Sequence, residues 1–261
     1  MERTKDLLVI MPAYNEATCI GAFLDRLEAA GIPDLADMLV IDDGSTDDTG
    51  RIAGEHGCTV VAHVYNMGYG AALLSGYRFA VRRGYEYVIQ IDSDGQHDPC
   101  NIRPVYDRLK GDGDAGGPDI VLGSRFLKGG KSFPISRLKK AAIGFFRKLV
   151  RLSTGKTVTD PTSGLQGLGS RALQYSSVYS NFDDRYPYAN MLIQMLLLGY
   201  QVEEIPAVMH ARGTGDGMHD GLARQAAYMA HMAVSICAVL SRSLVLKAKR
   251  RSARPSEEQR R

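Results

Sequence analysis

Cysteine is scarce in this sequence, and its four positions show no pairing pattern. Cys19, Cys58, Cys100 and Cys237 are widely separated, and no CxxC pair occurs. This spacing argues against a disulfide framework and against a cysteine-ligated zinc site. It is typical of proteins in a reducing cytoplasm.

Long hydrophobic runs and the common cofactor motifs are also absent. No 18 consecutive apolar residues occur, and the apolar stretch after Lys5 is broken at Pro12 and Asn15, so we expect neither a membrane span nor a signal peptide. No G-x-G-x-x-G follows the first predicted strand and no P-loop lysine motif is present, which disfavours a dinucleotide site. The composition, 44% hydrophobic and 23% charged, is ordinary for one large α/β domain with or without a small appendage.

The first half of the chain alternates between strand and helix patterns. Short apolar segments predict strands at 7–11, 38–41, 59–64, 87–91 and 120–122. Amphipathic segments predict helices at 17–30, 49–56 and 71–83. This alternation indicates a largely parallel sheet, in which ligands bind beyond the carboxyl ends of the strands. Polar clusters follow four of these strands, at 12–16, 42–46, 66–70 and 92–96.

Two aspartates follow the fourth predicted strand. Asp92 and Asp94 are one residue apart, so in an extended chain their side chains project to the same side. Carboxylates this close repel each other unless a cation lies between them, and a hard divalent cation suits carboxylate oxygens. The alternative is an acidic turn, where Asp and Gly are common. Because three other polar clusters are expected at the same edge, we favour the metal site.

The first two predicted strands end in residues that suit a nucleoside. Pro12 and Tyr14 can form a wall for a flat base, and an aspartate of the Asp42–Asp43 pair can accept a hydrogen bond from a base N–H. Ser45 and Thr46 are predicted only to cap the helix that follows.

Residues 120–159 are strongly basic and contain no acidic residue. From Ser136 onward, helical spacing separates an apolar face from a basic one. Such a helix suits an anionic membrane surface, where each nearby basic residue adds roughly 1 kcal/mol. It equally suits a helix whose apolar face joins the core while its basic residues are solvated. The basic residues are Arg125, Lys128, Lys131, Arg137, Lys139, Lys140, Arg147, Lys148, Arg151 and Lys156.

The C-terminal region continues with helical apolar spacing. We predict a domain at 1–220, an amphipathic helix at 221–246, and a basic tail at 247–261 that lacks the composition for ordered structure. His231 and Arg242 interrupt the apolar face, so the helix is not expected to span a membrane. Three interpretations of this helix remain open: it lies on the membrane surface, it packs between two copies of the chain, or it docks on the core.

Taken together and in this order, the motifs resemble the family-2 glycosyltransferases of the GT-A fold. They are PAYNE (12–16), IDDGSTDDT (41–49), NMGYGAAL (66–73), QIDSDGQHDP (90–99), GSRF (123–126), DPTSGLQ (160–166), GYQVEEIP (199–206) and ARGTGDGMH (211–219). Within the family, the chain looks most like enzymes of the dolichol-phosphate-mannose-synthase type, which glycosylate polyprenyl phosphates. The resemblance implies an α/β GT-A fold with a mostly parallel central sheet, flanking helices and a C-terminal helical extension.

The resemblance also implies roles for individual residues. The residues implied to bind the nucleotide sugar are Pro12, Ala13, Tyr14, Glu16, Asp43, Gly68 and Asp92. Those implied to bind a Mg²⁺ or Mn²⁺ ion are Asp92, Asp94 and Gln96. Arg125 and Arg137 match positions that hold the acceptor phosphate, where the planar guanidinium suits phosphate oxygens. Arg212 matches an arginine on a mobile, glycine-rich loop that closes over the donor.

Two segments depart from the family pattern. Gly215, Asp216 and Gly217 stand where relatives carry a serine or a lysine–serine pair, and Tyr188 and Asn190 stand where relatives often carry glutamates. Members that act on sugar hydroxyls need a general base. A phosphate monoester, with a second pKa near ~6, is mostly dianionic at neutral pH and needs none. Asp183 and Asp184 could serve as a base or cap a surface helix, and Asp160 could orient the acceptor or cap a turn.

These observations predict an inverting, metal-dependent transferase that moves a hexose or N-acetylhexosamine from a UDP- or GDP-sugar to polyprenyl phosphate. Its predicted catalytic residues are Asp94, Arg212 and Asp184. We expect it on the inner face of the cytoplasmic membrane, bound to an anionic surface. A second copy of the chain or a membrane protein could be a further partner, and no nucleic acid is expected to bind. Two alternatives remain: transfer to a sugar hydroxyl in cell-surface polysaccharide assembly, and a non-catalytic subunit that binds nucleotide sugars.

Overall fold

The computed structural model describes residues 5–111, 116–131, 133, 136–183, 185, 187–211 and 231–242. The strands of this part are β1 (Leu7–Ala13), β2 (Asp37–Asp42), β3 (Thr59–Ala62), β4 (Tyr87–Gln90), β5 (Ile120–Ser124), β6 (Gln166–Gly169) and β7 (Val202–Pro206). Its helices are α1 (Ile20–Ala29), α2 (Ile32–Leu35), α3 (Thr49–Glu55), α4 (Tyr69–Arg83), α5 (Ile102–Lys110), α6 (Arg137–Thr154), α7 (Ser170–Ser176) and α8 (Ala189–Leu197). Residues 231–242 are also helical.

The strands form one mixed sheet in the order β3-β2-β1-β4-β6-β5-β7. Neighbouring strands run parallel except β6, which is antiparallel to both β4 and β5. The predicted α/β class with a mostly parallel sheet is therefore confirmed. The carboxyl ends of β1, β2, β3 and β4 lie side by side, because the chain crosses back through a helix between parallel neighbours.

Strand β6 was not predicted, because its sequence QGLG lacks the β-branched pattern of a strand. Gly167 is required there by close packing: a Cβ atom would lie 2.5 Å from Cγ1 of Val105 and 2.7 Å from Cδ1 of Leu109. Helix α5 therefore packs directly against the backbone of β6. A strand that serves as a flat surface for a helix leaves no hydrophobic signal in the sequence.

The sheet has a hydrophobic core on each face. Along β1, Leu8 and Ile10 point to one face while Leu7 and Val9 point to the other, as expected for alternating side chains. Helices α1, α3 and α5 contribute to the core that contains Leu7. Helices α4, α6, α7 and α8 contribute to the core that contains Leu8. The carboxyl edge of the sheet between these layers is left for the polar clusters.

Helix α6 begins at a serine cap and ends at a glycine. The side chain of Ser136 accepts a hydrogen bond from the backbone N–H of Lys139, and Gly155 ends the helix with φ 72°. Phe146 and Val150 are buried in the core, whereas Phe145 and Leu152 are 47% and 75% exposed. The apolar face thus joins the core in part, and two large apolar side chains remain outside among the basic residues.

The helical residues 231–242 also dock on the core. Met232 and Ile236 are fully buried beside α8 residues such as Ile193, while Val234 is 69% exposed. Docking on the core, one of three interpretations of this region, is therefore what the structure shows for 231–242. The predicted domain limits at 220 and 246 fall outside the described residues. Within the part of the chain that is described, none of the helices combines the length and apolar character needed to cross a bilayer.

Candidate active site

The first two polar clusters meet at the carboxyl ends of β1 and β2. The backbone N–H of Asn15 donates to Oγ of Ser45 over 3.0 Å, and the N–H of Thr46 donates to Oδ1 of Asn15 over 2.8 Å. Asn15 adopts a left-handed conformation with φ 54° to make this contact. The prediction that Ser45 and Thr46 only cap a helix is wrong. Helix α3 begins after Asp48 without a side-chain cap, and Asp47 accepts a hydrogen bond from the N–H of Thr49.

Asp43, predicted to face the base, is only 3% exposed and holds the third polar cluster in place. It accepts hydrogen bonds from the N–H groups of Met67 and Gly68 over 2.9 and 2.7 Å, and Nδ1 of His63 lies 2.6 Å from its Oδ1. Nε2 of His63 contacts Oγ of Ser75 at 2.9 Å. Sequence reasoning missed His63, because nothing in its spacing indicates this contact.

The other residues predicted to contact the nucleoside surround this loop. Pro12 and Ala13 are buried at the end of β1, and the ring of Tyr14 is 46% exposed beyond them. The hydroxyl of Ser93 donates to the carbonyl of Pro12 over 2.8 Å, which connects β1 to the loop after β4. The N–H of Glu16 donates to Oγ1 of Thr49. An exposed aromatic ring beside buried carboxylates can stack on a base.

Asp92 is held on both of its oxygens. The Tyr69 hydroxyl donates to Oδ1 over 2.9 Å, and Nε2 of His97 lies 3.5 Å from Oδ2. Gly164 packs against the same carboxylate, since a Cβ atom there would lie 2.4 Å from Oδ2. Burial raises the pKa of Asp92, but His97 and the hydroxyl of Tyr69 lower it more, so this pKa lies below the ordinary aspartate value. Asp92 is therefore a fixed anion.

His97 is fully buried, and neither of its ring nitrogens forms a hydrogen bond among the described residues. The 3.5 Å between its Nε2 and Oδ2 of Asp92 is longer than in a well-formed hydrogen bond. Burial and the charge of Asp92 raise the pKa of Tyr69 well above its ordinary value, so its phenol stays protonated and donates. Sequence reasoning singled out neither Tyr69 nor His97.

Asp94 and Gln96 form a turn beside Asp92. Oδ1 of Asp94 accepts the N–H of Gln96 over 3.0 Å, and Nε2 of Gln96 donates to the carbonyl of His210 over 3.4 Å. No group of three His, Cys, Asp or Glu side chains in the described residues forms a complete metal cage. Two carboxylates fit a Mg²⁺-type ion that completes its shell with substrate phosphates and water. The donor set therefore fits an ion that arrives with a diphosphate.

Arg125, predicted to bind the acceptor phosphate, forms a buried ion pair with Asp160. Nε and Nη2 each lie 2.6 Å from one carboxylate oxygen, and the two side chains are 5% and 0% exposed. The backbone N–H of Asp160 in turn donates a hydrogen bond to Oε1 of Glu204. Arg137, the other predicted phosphate ligand, is the exposed first residue of α6. Both assignments to the acceptor phosphate stay predictions.

The segment that departs from the family pattern contacts the site through an aromatic ring. The rings of Tyr188 and Tyr69 are stacked, with centroids 5.7 Å apart and planes inclined by 15°. Asp183 accepts hydrogen bonds from Nδ2 of Asn190 and Oγ of Ser235, each over 2.6 Å, and thereby connects this segment to the helical residues 231–242. Asp184 and Arg212, two of the predicted catalytic residues, lie outside the described residues.

Comparison with known proteins gives one family and a consistent fold. The family described as Glycosyl transferase family 2 matches residues 8–174. An undecaprenyl-phosphate mannosyltransferase of Micrococcus luteus is 29% identical over 82% of this chain and 88% of its own. A polyprenol monophosphomannose synthase of Mycolicibacterium smegmatis is 30% identical over 81% and 80%.

The fold resembles a solved glycosyltransferase structure. Glucosyl-3-phosphoglycerate synthase of Mycobacterium tuberculosis, solved with Mn²⁺ and UDP-glucose, superposes with a TM-score of 0.67 at 21% identity, covering 91% of this chain and 80% of that one. At this identity the likeness shows the fold alone. Because the family match spans more than half of the chain, the chain belongs to glycosyltransferase family 2.

Proposed function

We propose that this chain transfers a sugar, with inversion, from a nucleotide-diphosphate sugar to polyprenyl phosphate. The observation that carries the proposal is the position of Asp92. It is fixed where the loop after β4 meets β1 and the start of α4, and the charge of Arg125, which follows β5, acts on it. The two relatives are named as enzymes that mannosylate undecaprenyl phosphate and a polyprenol monophosphate, which supports the same acceptor class here.

The donor would lie along the carboxyl edge of the sheet. Tyr14 and Asp43 would contact the base, with Pro12, Ala13, Glu16 and Gly68 around the nucleoside. Asp92, Asp94 and Gln96 would hold a Mg²⁺ or Mn²⁺ ion. When bound, this ion neutralises charge on the diphosphate as the glycosidic bond breaks. Arg212, which follows β7 in the sequence, would share that work electrostatically.

The acceptor would be a phosphate because, in the described part of the chain, Asp183, which could serve as the base for a hydroxyl acceptor, is already hydrogen-bonded. Asp183 is occupied by Asn190 and Ser235, and Tyr188 stands where related chains often carry a glutamate. A prenyl phosphate is already mostly dianionic at neutral pH and can attack unaided. Transfer to a sugar hydroxyl would require Asp184 to act as the base. We therefore rank the polyprenyl phosphate acceptor above the polysaccharide alternative.

The proposed working place is the inner face of the cytoplasmic membrane. Helix α6 exposes Phe145 and Leu152 among basic side chains, a combination that suits an anionic lipid surface. Liposome flotation tests this placement: binding should require anionic lipid and should be lost at high salt. Equal flotation with neutral lipid at high salt would contradict it.

Product analysis tests the reaction itself. The purified chain is incubated with Mn²⁺ or Mg²⁺, a polyprenyl phosphate and a panel of UDP- and GDP-sugars, and a lipid-linked monophosphate sugar is the expected product. Asp94→Asn should lower the rate by roughly 10²-fold or more, as for loss of a group that stabilises transition-state charge. Asp107→Asn, an exposed change on α5, is the control. An extended glycan, or donor binding without turnover, would instead support one of the two alternatives.

A further inference from the structure

A cavity of about 270 Å³ lies between the end of β5 and helix α6. Four side chains line it: Phe126, Lys140, Ile143 and Arg147. Phe126 directly follows Arg125, whose charge acts on Asp92, so the cavity adjoins a residue that influences the candidate active site. Two of its walls are cationic and two are apolar.

Arg147, which lines this cavity, has an unused donor. Its Nε donates to the carbonyl of Thr159, and its Cζ lies 4.4 Å above the centre of the Phe126 ring. Its Nη2 is buried and has no hydrogen-bond partner among the described residues. A buried, charged donor without an acceptor is destabilising, because it loses its bonds to water and gains none. The geometry is therefore suited to an acceptor from outside the chain.

The nearby carboxylates are already occupied. Asp160 pairs with Arg125, and Glu204 accepts hydrogen bonds from Thr159 and from the N–H of Asp160. The whole segment 120–159, which includes α6, contains no Asp or Glu. The positive charge of this cavity is thus available to an anion, and arginine's planar fork matches phosphate oxygens.

We propose that Lys140 and Arg147 bind the phosphate of the prenyl phosphate acceptor, and that Phe126 and Ile143 contact the first carbons of its chain. Drug-sized ligands occupy cavities of roughly 300–1,000 Å³, so 270 Å³ holds the phosphate and the start of the chain but not a whole polyprenol. The remaining chain leaves toward the exposed face of α6. Arg125, already paired with Asp160, lies against the Phe126 ring, with its Cζ 5.4 Å from the ring centre. The inference rests on the proposed function and names its acceptor residues.

Calorimetric titration of the full chain, without donor or metal, tests the site directly. The three probes are geranyl phosphate, inorganic phosphate and geraniol. Geranyl phosphate should bind at least tenfold more tightly than either of the others, because only it uses both the cationic and the apolar walls. Geraniol that binds as tightly as geranyl phosphate would overturn the phosphate assignment, and inorganic phosphate that does so would overturn the apolar contact.

Variants of the cavity residues test whether these side chains bind the acceptor and not the nucleotide sugar. Arg147→Met and Lys140→Gln should each raise the Kd and the KM for geranyl phosphate by about ten- to a hundredfold, as for loss of one charged hydrogen bond, with the KM of the nucleotide sugar unchanged. Arg147→Lys should recover only part of the loss, since it lacks the fork. Arg103→Gln, which removes an exposed charge from α5, is the matched control. Lys140 is itself exposed, so its variant still tests the site if Arg147→Met does not fold.

The outcomes distinguish two failures. If the wild-type chain glycosylates prenyl phosphates but both cavity variants keep the wild-type Kd and KM for geranyl phosphate, this inference is wrong and the proposed function stands. If the wild-type chain glycosylates no prenyl phosphate with any donor, the proposed function fails.

Discussion

The Tyr69 hydroxyl donates a hydrogen bond of 2.9 Å to Oδ1 of Asp92, while the Tyr69 ring stacks on Tyr188. Tyr69 is the first residue of α4, and Asp92 follows β4, so this one bond joins a helix start to the loop that would hold the metal. His97 lies against the other oxygen of the same carboxylate. The orientation of Asp92 is thus fixed before any ligand binds, which lowers the cost of ordering the site.

Tyr69→Phe tests how far that orientation matters. The substitution keeps the stacked ring and removes the hydroxyl, so we expect the affinity for Mn²⁺ with nucleotide diphosphate to fall about tenfold, in line with loss of a hydrogen bond to a charged group. Stability should change by no more than ~1–2 kcal/mol. Tyr106→Phe is the matched control, because it removes a similar phenol–carboxylate bond to Asp6 elsewhere in the fold. Equal losses of affinity in both variants would contradict a specific role for Tyr69.

Neutralising the acidic residue of a buried ion pair should lower the free energy of unfolding more than the same change in an exposed pair. Asp160→Asn leaves the cation of Arg125 buried and uncompensated, so we expect a loss of roughly 3–5 kcal/mol in the free energy of unfolding. Glu203→Gln breaks the exposed pair with Arg108, in which the side chains are 41% and 42% exposed, and should cost ~0–1 kcal/mol. Urea unfolding measures both. Similar small losses would mean that Arg125 finds water or another acceptor when Asp160 is neutralised.

The sequence was sufficient for the fold class and for the convergence of four polar clusters, because both follow from alternating strand and helix patterns. It was not sufficient for contacts between side chains far apart in the chain. His63, Tyr69 and His97 bind the predicted aspartates, yet their own spacing carries no signal. Arg147 is one of ten basic residues in its segment, and nothing in the sequence indicates its contacts with Phe126 and Thr159.

Cysteine reactivity should follow thiolate content as well as exposure. Cys100 is exposed, but desolvation and the neighbouring Asp98 raise its pKa to about 11, and burial raises the pKa of Cys58 to about 11. The thiolate is the reactive form, so at pH 8 both should be alkylated slowly, and Cys237, which is exposed, should react first. Raising the pH to 10 should speed the alkylation of Cys100 by about two orders of magnitude, since its thiolate fraction rises almost tenfold per pH unit below the pKa.

Peptide mass spectrometry after timed iodoacetamide treatment measures each site separately. Cys58 is buried as well as protonated, so its alkylation at pH 10 should remain slower than that of Cys100. Rapid alkylation of Cys100 at pH 8, at the rate of Cys237, would show that Asp98 does not suppress its thiolate.

The helical residues 231–242 should stabilise the fold through one face only. Ile236 is 1% exposed in the core, so Ile236→Ala should lower the free energy of unfolding by about 2–5 kcal/mol, whereas Val234→Ala, at a side chain 69% exposed, should change it by less than ~0.5 kcal/mol. Ser235→Ala removes the hydrogen bond that Ser235 donates to Asp183 and the one that it accepts from Nδ2 of Asn190, so a loss of ~1–2 kcal/mol is expected. Because Asn190 also accepts the N–H of Tyr188, Ser235→Ala should loosen the ring stacked on Tyr69 and lower the affinity for nucleotide diphosphate more than Val234→Ala does. Equal stability of the Ile236→Ala and Val234→Ala proteins would mean that this helix does not remain docked in solution.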